Sequence, residues 1–290
     1  MLSQSADWLI EQRNEWSTLI GDTGAQLDSF FAGQDIERLP NGSFLRLGLE
    51  SKYFKKGKLT LEPVFRFKLD LPTLQERLKL VLESDLPEQK TLNESKLESA
   101  LANEERVSGN TTGALQLIFD SAKKWRLSTS IGIRLHTSLN PFWRARTRRT
   151  WELEQGWHLK TAQNLYYFHD DGWGESTQLT FEKAIHSYFF TSTSEARWQH
   201  DERVMEFAQV FSSKKKLSAI RAIKYSVGIL AKNQPNVNVT DYYFNTTYRR
   251  LIYKDWLFYD VTPELLFPRE DSFKANPSIL LRLEVVFSNF

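Results

Sequence analysis

His136, Thr137 and Ser138 stand in a row, with Asn140 two places on. A serine beside a histidine that an amide can orient is the arrangement that activates a hydroxyl for ester hydrolysis, so His136 and Ser138 are the candidate catalytic pair. Arg144, Arg146 and Arg148 alternate along the chain. In an extended segment that spacing puts three guanidiniums on one face, suited to drawing in and orienting charged solutes. His169-Asp170-Asp171 offers ligands for a cation, although acidic loop tips are commonly just solvated. His158, His169, His186 and His200 occupy different strands and loops with no second histidine at i+2 or i+4, so no metal site and no cofactor are expected. The chain has no cysteine, which removes thiol nucleophiles, disulfides and cysteine-ligated clusters.

The 290 residues are 41% hydrophobic and 26% charged, which excludes a disordered chain. A formal charge of +2 lacks the concentrated positive field of a nucleic-acid binder, and no nucleic-acid partner is expected. No run of about 18 apolar residues is present to cross a membrane as a helix.

Two kinds of element must position these groups. Residues 1–41 carry apolar residues at helical spacing: Trp8, Leu9, Trp16, Leu19 and Ile20, then Leu27, Phe30 and Phe31. Asp7 can cap the start, and Gly21-Asp22-Thr23-Gly24 divides the helix. Asp7, Glu11, Arg13 and Glu15 interrupt what would be the apolar core of a signal peptide, so the export signal of an exported chain is expected to have been removed. An amphipathic segment of this kind can plug a pore, lie on a leaflet or dock a partner.

From Ser43 the period changes to two. Leu45, Leu47 and Leu49 alternate with Arg46, Gly48 and Glu50; Leu59, Leu61, Phe65 and Phe67 alternate with Thr60, Glu62, Arg66 and Lys68; Leu78, Leu80 and Leu82 alternate with Arg77, Lys79 and Glu83. The same two-faced pattern recurs through Ile279–Phe287, predicting about 14 strands at roughly 18 residues each with its connection, or 12 if the short segments around Thr177 and Tyr188 are misread.

A soluble sandwich also alternates, but its apolar faces must bury against each other, with tight turns about every 8–12 residues. Here the segments run to about 10–13 residues, the length of a tilted strand crossing a bilayer. The polar face is heavily ionic, as in a barrel interior where opposite charges pair across strands. Connections alternate between a short set (72–75, 121–124, 155–156, 183–185, 212–216 and 253–255) and a longer set (85–111, 137–140, 170–176, 231–238 and 268–277). Aromatic residues sit at both ends: Trp125, Trp151, Trp157, Phe211, Tyr253 and Trp256 by short turns, and Tyr53, Trp143, Tyr167, Trp173, Trp198 and Phe267 opposite. An amphipathic ring is most stable at head-group depth.

On these features the chain resembles a Gram-negative outer-membrane β-barrel, and Ile279–Phe290 resembles the C-terminal strand that the barrel-assembly machinery recognises in that class. The resemblance implies an all-β fold, a transmembrane antiparallel up-and-down barrel over residues 42–290 with the helical segment 1–41 in the periplasm. It also implies partners: outer-membrane lipid and lipopolysaccharide, the assembly machinery, and a periplasmic protein engaging residues 1–41. Leu281, Leu283, Val285 and Phe287 are out of phase with the terminal Phe290.

Three functions are consistent with that architecture. The first is a narrow porin-like channel whose lumen is basic-biased, with Arg66, Lys68, Arg77, Lys79, Arg134, Arg144, Arg146 and Arg148 on one side and Asp260, Glu264 and Glu284 on the other; such a transverse field selects solutes by charge. The second is a non-conducting scaffold in which those charges pair and fill the interior. The third follows from the similarity of His136-Thr137-Ser138 to the His-x-Ser motif of outer-membrane phospholipases. That family directs its pair to lipid, whereas His136 and Ser138 share the phase of Gly132 and Arg134 and so point to the lumen, and Leu139-Asn140 replaces the family's Asn-Gly.

Overall fold

The computed structural model describes residues 44–55, 57, 59–70, 78–84, 111–121, 125–135, 139–253 and 256–288. The helical expectation for residues 1–41 lies outside them, as do the 85–110 connection, Arg77, His136, Ser138 and Phe290.

The described chain forms fourteen strands: β1 (Phe44–Phe54), β2 (Leu59–Asp70), β3 (Leu78–Ser84), β4 (Thr111–Ser121), β5 (Trp125–Leu135), β6 (Leu139–Glu152), β7 (His158–Phe168), β8 (Gly172–Ile185), β9 (Tyr188–Gln199), β10 (Val204–Ser218), β11 (Arg221–Asn233), β12 (Val237–Tyr253), β13 (Leu257–Pro268) and β14 (Asn276–Ser288). Each pairs with its neighbours in sequence, and β1 pairs antiparallel with β14, Phe44 opposite Ser288 and Phe54 opposite Ser278, which closes the barrel. Thr177 and Tyr188 belong to full strands of 14 and 12 residues, so fourteen rather than twelve strands is the count. Closure leaves no edge, and backbone groups find partners within the sheet as a hydrocarbon environment requires.

Period two decides which face each residue takes. Side chains of strands two apart can meet only inside the ring, and they do: Lys52 of β1 reaches Glu264 of β13 at 3.3 Å, and Arg249 of β12 reaches Glu284 of β14. The phase of these residues is therefore the interior. The opposite phase is apolar and open, with Leu61 and Ile131 each 61% exposed and Leu47, Leu49, Leu281 and Leu283 alongside. In water such a surface would aggregate; in a bilayer it is the solvated face.

The strands overrun several expected turns. β10 continues through Lys214-Lys215-Lys216 to Ser218, so 212–216 is not a turn, and the hairpin lies at 219–220. Lys214 and Lys216 point inward and Lys215 outward, positions that tolerate charge where a strand emerges from the apolar band. Phe211 consequently lies within a strand rather than beside a turn. The β8–β9 turn is 186–187, and β7–β8 and β11–β12 are joined by only 169–171 and 234–236. Among the described residues the expected contrast in loop length is thereby reduced.

Candidate functional site

The barrel interior divides into two walls of different electrostatic character. The first spans the closing seam from β12 through β14 to β1. Arg249, 3% exposed, donates through Nη1 to Asp260 Oδ2 at 2.9 Å and through Nη2 to Glu284. Arg46 approaches the other oxygen of Glu284 at 3.5 Å. Arg282 donates Nε to Glu50 Oε1 at 2.7 Å and lies 3.9 Å from Asp260. Lys52 pairs with Glu264, which also accepts from Ser278 Oγ at 3.3 Å. Arg46, Lys52, Arg249 and Arg282 thus meet Glu50, Asp260, Glu264 and Glu284, and their formal charges cancel. Buried ions are tolerated when each has a close partner of opposite sign.

The second wall is β5–β6. Arg126 pairs across the ladder with Arg148, Ser128 with Arg146 and Ser130 with Arg144, all in the inward phase. Arg146 donates to Asn164 Oδ1 on β7, and Asn164 Nδ2 donates to Ser176 Oγ on β8 at 2.8 Å, so a chain of neutral groups orients this guanidinium. Arg144 is buried to 8% exposure beside it. Within the described side chains of β5 and β6, the inward ions are Arg126, Arg134, Arg144, Arg146, Arg148 and the terminal Glu152. This wall is strongly basic.

Between the walls, further pairs line the ring: Lys160 with Glu182, Arg197 with Glu195 at 3.0 Å, and Lys232 with Glu206 at 2.8 Å. Two inward aromatic rings, Tyr166 on β7 and Tyr243 on β12, lie flat against the sheet. A Cβ on Gly174 would fall 2.2 Å from the Tyr166 ring, and one on Gly228 would fall 2.0 Å from the Tyr243 ring. Glycine on the adjacent strand therefore makes the slot that keeps each ring out of the lumen.

At the end of the barrel opposite the chain termini, the 169–171 turn folds over this wall. His169 N–H donates to Pro141 O at 3.1 Å, Asp170 N–H to Asn140 Oδ1 at 3.3 Å, and Asp171 pairs with Arg134 at 3.1 Å. Arg134 also lies over the Phe168 ring at 5.5 Å. Asp171 is committed to a guanidinium, and among the described residues no three metal-ligating side chains cluster. Asn140 is wholly inward, holding the turn. Arg66 sits on β2 opposite Arg46. Lys68 lies on β2 and Lys79 on β3.

The charge alternation sets Arg144, Arg146 and Arg148 on one face of β6, and Asp260 and Glu264 on one face of β13. It could not foresee that Asp260, Glu264 and Glu284 are neutralised by cations of their own wall, because the pairing joins strands far apart in sequence. Nor does spacing reveal the Tyr166–Gly174 and Tyr243–Gly228 slots, which depend on register.

The outward aromatic residues gather at both ends. Trp173 contacts Trp143 and Tyr167 at 6.1 and 5.1 Å between centroids, and Trp256 contacts Tyr253 and Phe287 at 5.4 and 6.4 Å.

No protein-family model matches the sequence, and no curated protein matches it. Solved structures do share the architecture. A bacterial polysaccharide outer membrane secretin is 10% identical with a TM-score of 0.51, covering 84% of this chain and 98% of that one. The in-vitro folded outer-membrane protein OmpT of Vibrio cholerae, in a trimer form, is 7% identical with a TM-score of 0.50, covering 85% and 99%. OpdK, an outer-membrane protein of Pseudomonas aeruginosa, is 9% identical with a TM-score of 0.45, covering 86% and 99%. In fold, the chain is a closed fourteen-strand antiparallel β-barrel, the architecture of these outer-membrane proteins.

Proposed function

We propose that this protein is a narrow outer-membrane channel for anionic solutes. The observation that carries the reading is the asymmetry of the two walls. Arg126, Arg144, Arg146 and Arg148 form a ladder on β5–β6, across the ring from a seam where Glu50, Asp260, Glu264 and Glu284 face Arg46, Lys52, Arg249 and Arg282. A solute between them meets a positive wall and a neutral one, rather than a basic wall and an acidic wall. Such a field favours anions in a confined passage, where low-dielectric surroundings strengthen it. The slots under Tyr166 and Tyr243 support the same reading, since they keep bulky rings from crossing the bore. With the 85–110 connection on the cell exterior, both chain ends face the periplasm, where residues 1–41 can plug the pore or meet a partner and β14 can meet the assembly machinery.

The second reading is a closed scaffold. It is favoured by the seam network itself, which links β12, β13, β14 and β1 through buried ions and could occupy the bore. Single-channel recording on the refolded full chain, repeated after deletion of residues 1–40, separates the two. Steps of current in either form support the channel, and silence from a folded barrel in both forms supports the scaffold. The hydrolase reading stands on Ser138 and His136 and requires phospholipid cleavage that Ser138→Ala abolishes.

A further inference from the structure

The outward face is not uniformly a lipid-wetted surface. On β9–β11 small serines alternate with large rings: Ser192 pairs with Phe211, which pairs with Val227, and Phe190 pairs with Ser213, which pairs with Tyr225. The missing bulk at Ser192 and Ser213 opens a groove of about 550 Å³, bounded also by Trp157 and Ile185. Three polar groups on this face, Ser192, Ser194 and Gln209, bond to one another. Gln209 Nε2 donates to Ser192 Oγ at 3.0 Å, and Ser194 Oγ donates to Gln209 Oε1 at 2.5 Å. The groove wall is left to the apolar side chains.

Two outward cations flank it on the side of the 186–187 hairpin. Lys183 of β8 pairs with Phe190 across the ladder and holds its ammonium 5.3 Å from the Trp157 ring centroid. Lys215 lies two residues beyond Ser213, 4.6 Å from the Tyr188 ring centroid, and donates to the Tyr188 hydroxyl at 3.3 Å. The aromatic partners fix both ammonium groups at head-group depth. Other outward cations share this end of the barrel: Arg149, 3.4 Å from the Trp151 ring centroid; Arg221, whose Nε donates to Ser218 Oγ at 3.2 Å; and Arg250, opposite Arg221 on β12 and away from the groove. At the opposite end the outward residues include Tyr53, Leu139, Trp143, Tyr167, Trp173, Glu175, Trp198, Tyr242 and Phe267, with no cation among the described strand residues.

We propose that β8–β11 form a binding site for one phosphate-bearing glycerolipid of the leaflet at this end, with an acyl chain in the groove and the phosphate between Lys183 and Lys215. The charge beside the groove selects this occupant. An acyl chain alone has no use for paired ammoniums, and a phosphate supplies several acceptor oxygens to both. A volume of this size lies within the range of about 300–1,000 Å³ usual for specific ligand clefts.

The test is native mass spectrometry of the full chain, folded in lipid-free detergent and titrated with dipalmitoyl phosphatidylglycerol. One lipid is expected to be retained by the unaltered protein. Diacylglycerol, which has the chains without the phosphate, is expected to bind at least tenfold more weakly. The double variant Lys183→Gln/Lys215→Gln should lower phosphatidylglycerol affinity at least tenfold, and Ser213→Phe, or Ser192→Leu if the former does not fold, at least fivefold. Arg250→Gln, on the same rim but outside the groove, should stay within twofold. The proposal is overturned if Arg250→Gln costs as much as the double variant, which would mean a diffuse positive rim, or if filling the groove changes nothing. Ser213→Cys in this cysteine-free chain tests the remaining occupant. A disulfide between two copies in native membranes would make the groove a protein interface and also overturn the proposal.

Discussion

Replacing Arg249 by methionine removes the centre of the seam network while keeping most of the side-chain volume. The guanidinium serves two carboxylates, Asp260 at 2.9 Å and Glu284, and lies 4.5 Å from the Phe258 ring centroid. Taking one partner from a buried pair costs about 3–5 kcal/mol, because the remaining charge stays buried. Here neither acid is abandoned: Asp260 keeps Arg282 at 3.9 Å and Glu284 keeps Arg46 at 3.5 Å. The expected loss is therefore at the low end, about 3 kcal/mol. Adding Glu284→Gln restores the balance of charge: Arg282 keeps Glu50 and Asp260, while Arg46 exchanges its carboxylate partner for a neutral amide that can still accept a hydrogen bond. The double variant should recover at least about 1 kcal/mol of that loss, within the coupling range for contacting residues. Urea-dependent unfolding in phospholipid vesicles, read by tryptophan fluorescence, measures both. The reasoning is refuted if Arg249→Met costs under about 1 kcal/mol, or if the double variant loses the sum of the two single losses.

Gly174→Val should displace the Tyr166 ring and destabilise the barrel by about 1–3 kcal/mol, with Tyr166→Ala restoring part of the loss in the same unfolding assay. Leu283→Arg, on the outward face of β14, should cost about 2–4 kcal/mol in vesicles; no penalty there would place this face outside hydrocarbon. Neutralising the ladder with Arg144→Gln, Arg146→Gln and Arg148→Gln should reduce or abolish any anion preference of the conductance while leaving folding intact, and an unchanged preference would assign selectivity elsewhere.

The barrel was legible because one physical rule acts on every strand: a residue on one side meets hydrocarbon and its neighbour meets ions. Leu45, Leu47 and Leu49 against Arg46 and Glu50 already state it, and Leu281, Leu283 and Glu284 repeat it at the far end of the chain. Turns were less legible because lysine carries opposite meanings. In a soluble sheet Lys214-Lys215-Lys216 would mark a loop, but at a membrane boundary both faces of a strand accept charge, and β10 runs on through them. The arginine ladder could be read within one strand, since Arg144, Arg146 and Arg148 share a phase. Its electrostatic counterpart could not, because the neutrality of Glu284 depends on Arg249 and Arg46, which are 35 and 238 positions away. The groove on β9–β11 was hidden for the same reason: Ser192 and Ser213 become a cavity only when register sets them beside Phe211 and Phe190.

The most direct measurement is the reversal potential of the refolded full chain in a planar bilayer under a potassium chloride gradient. An open barrel with a basic β5–β6 wall and a self-neutralised seam predicts discrete conductance and a potential displaced toward the chloride equilibrium value. Displacement toward the potassium value, or a folded barrel that never conducts with or without residues 1–40, would contradict it.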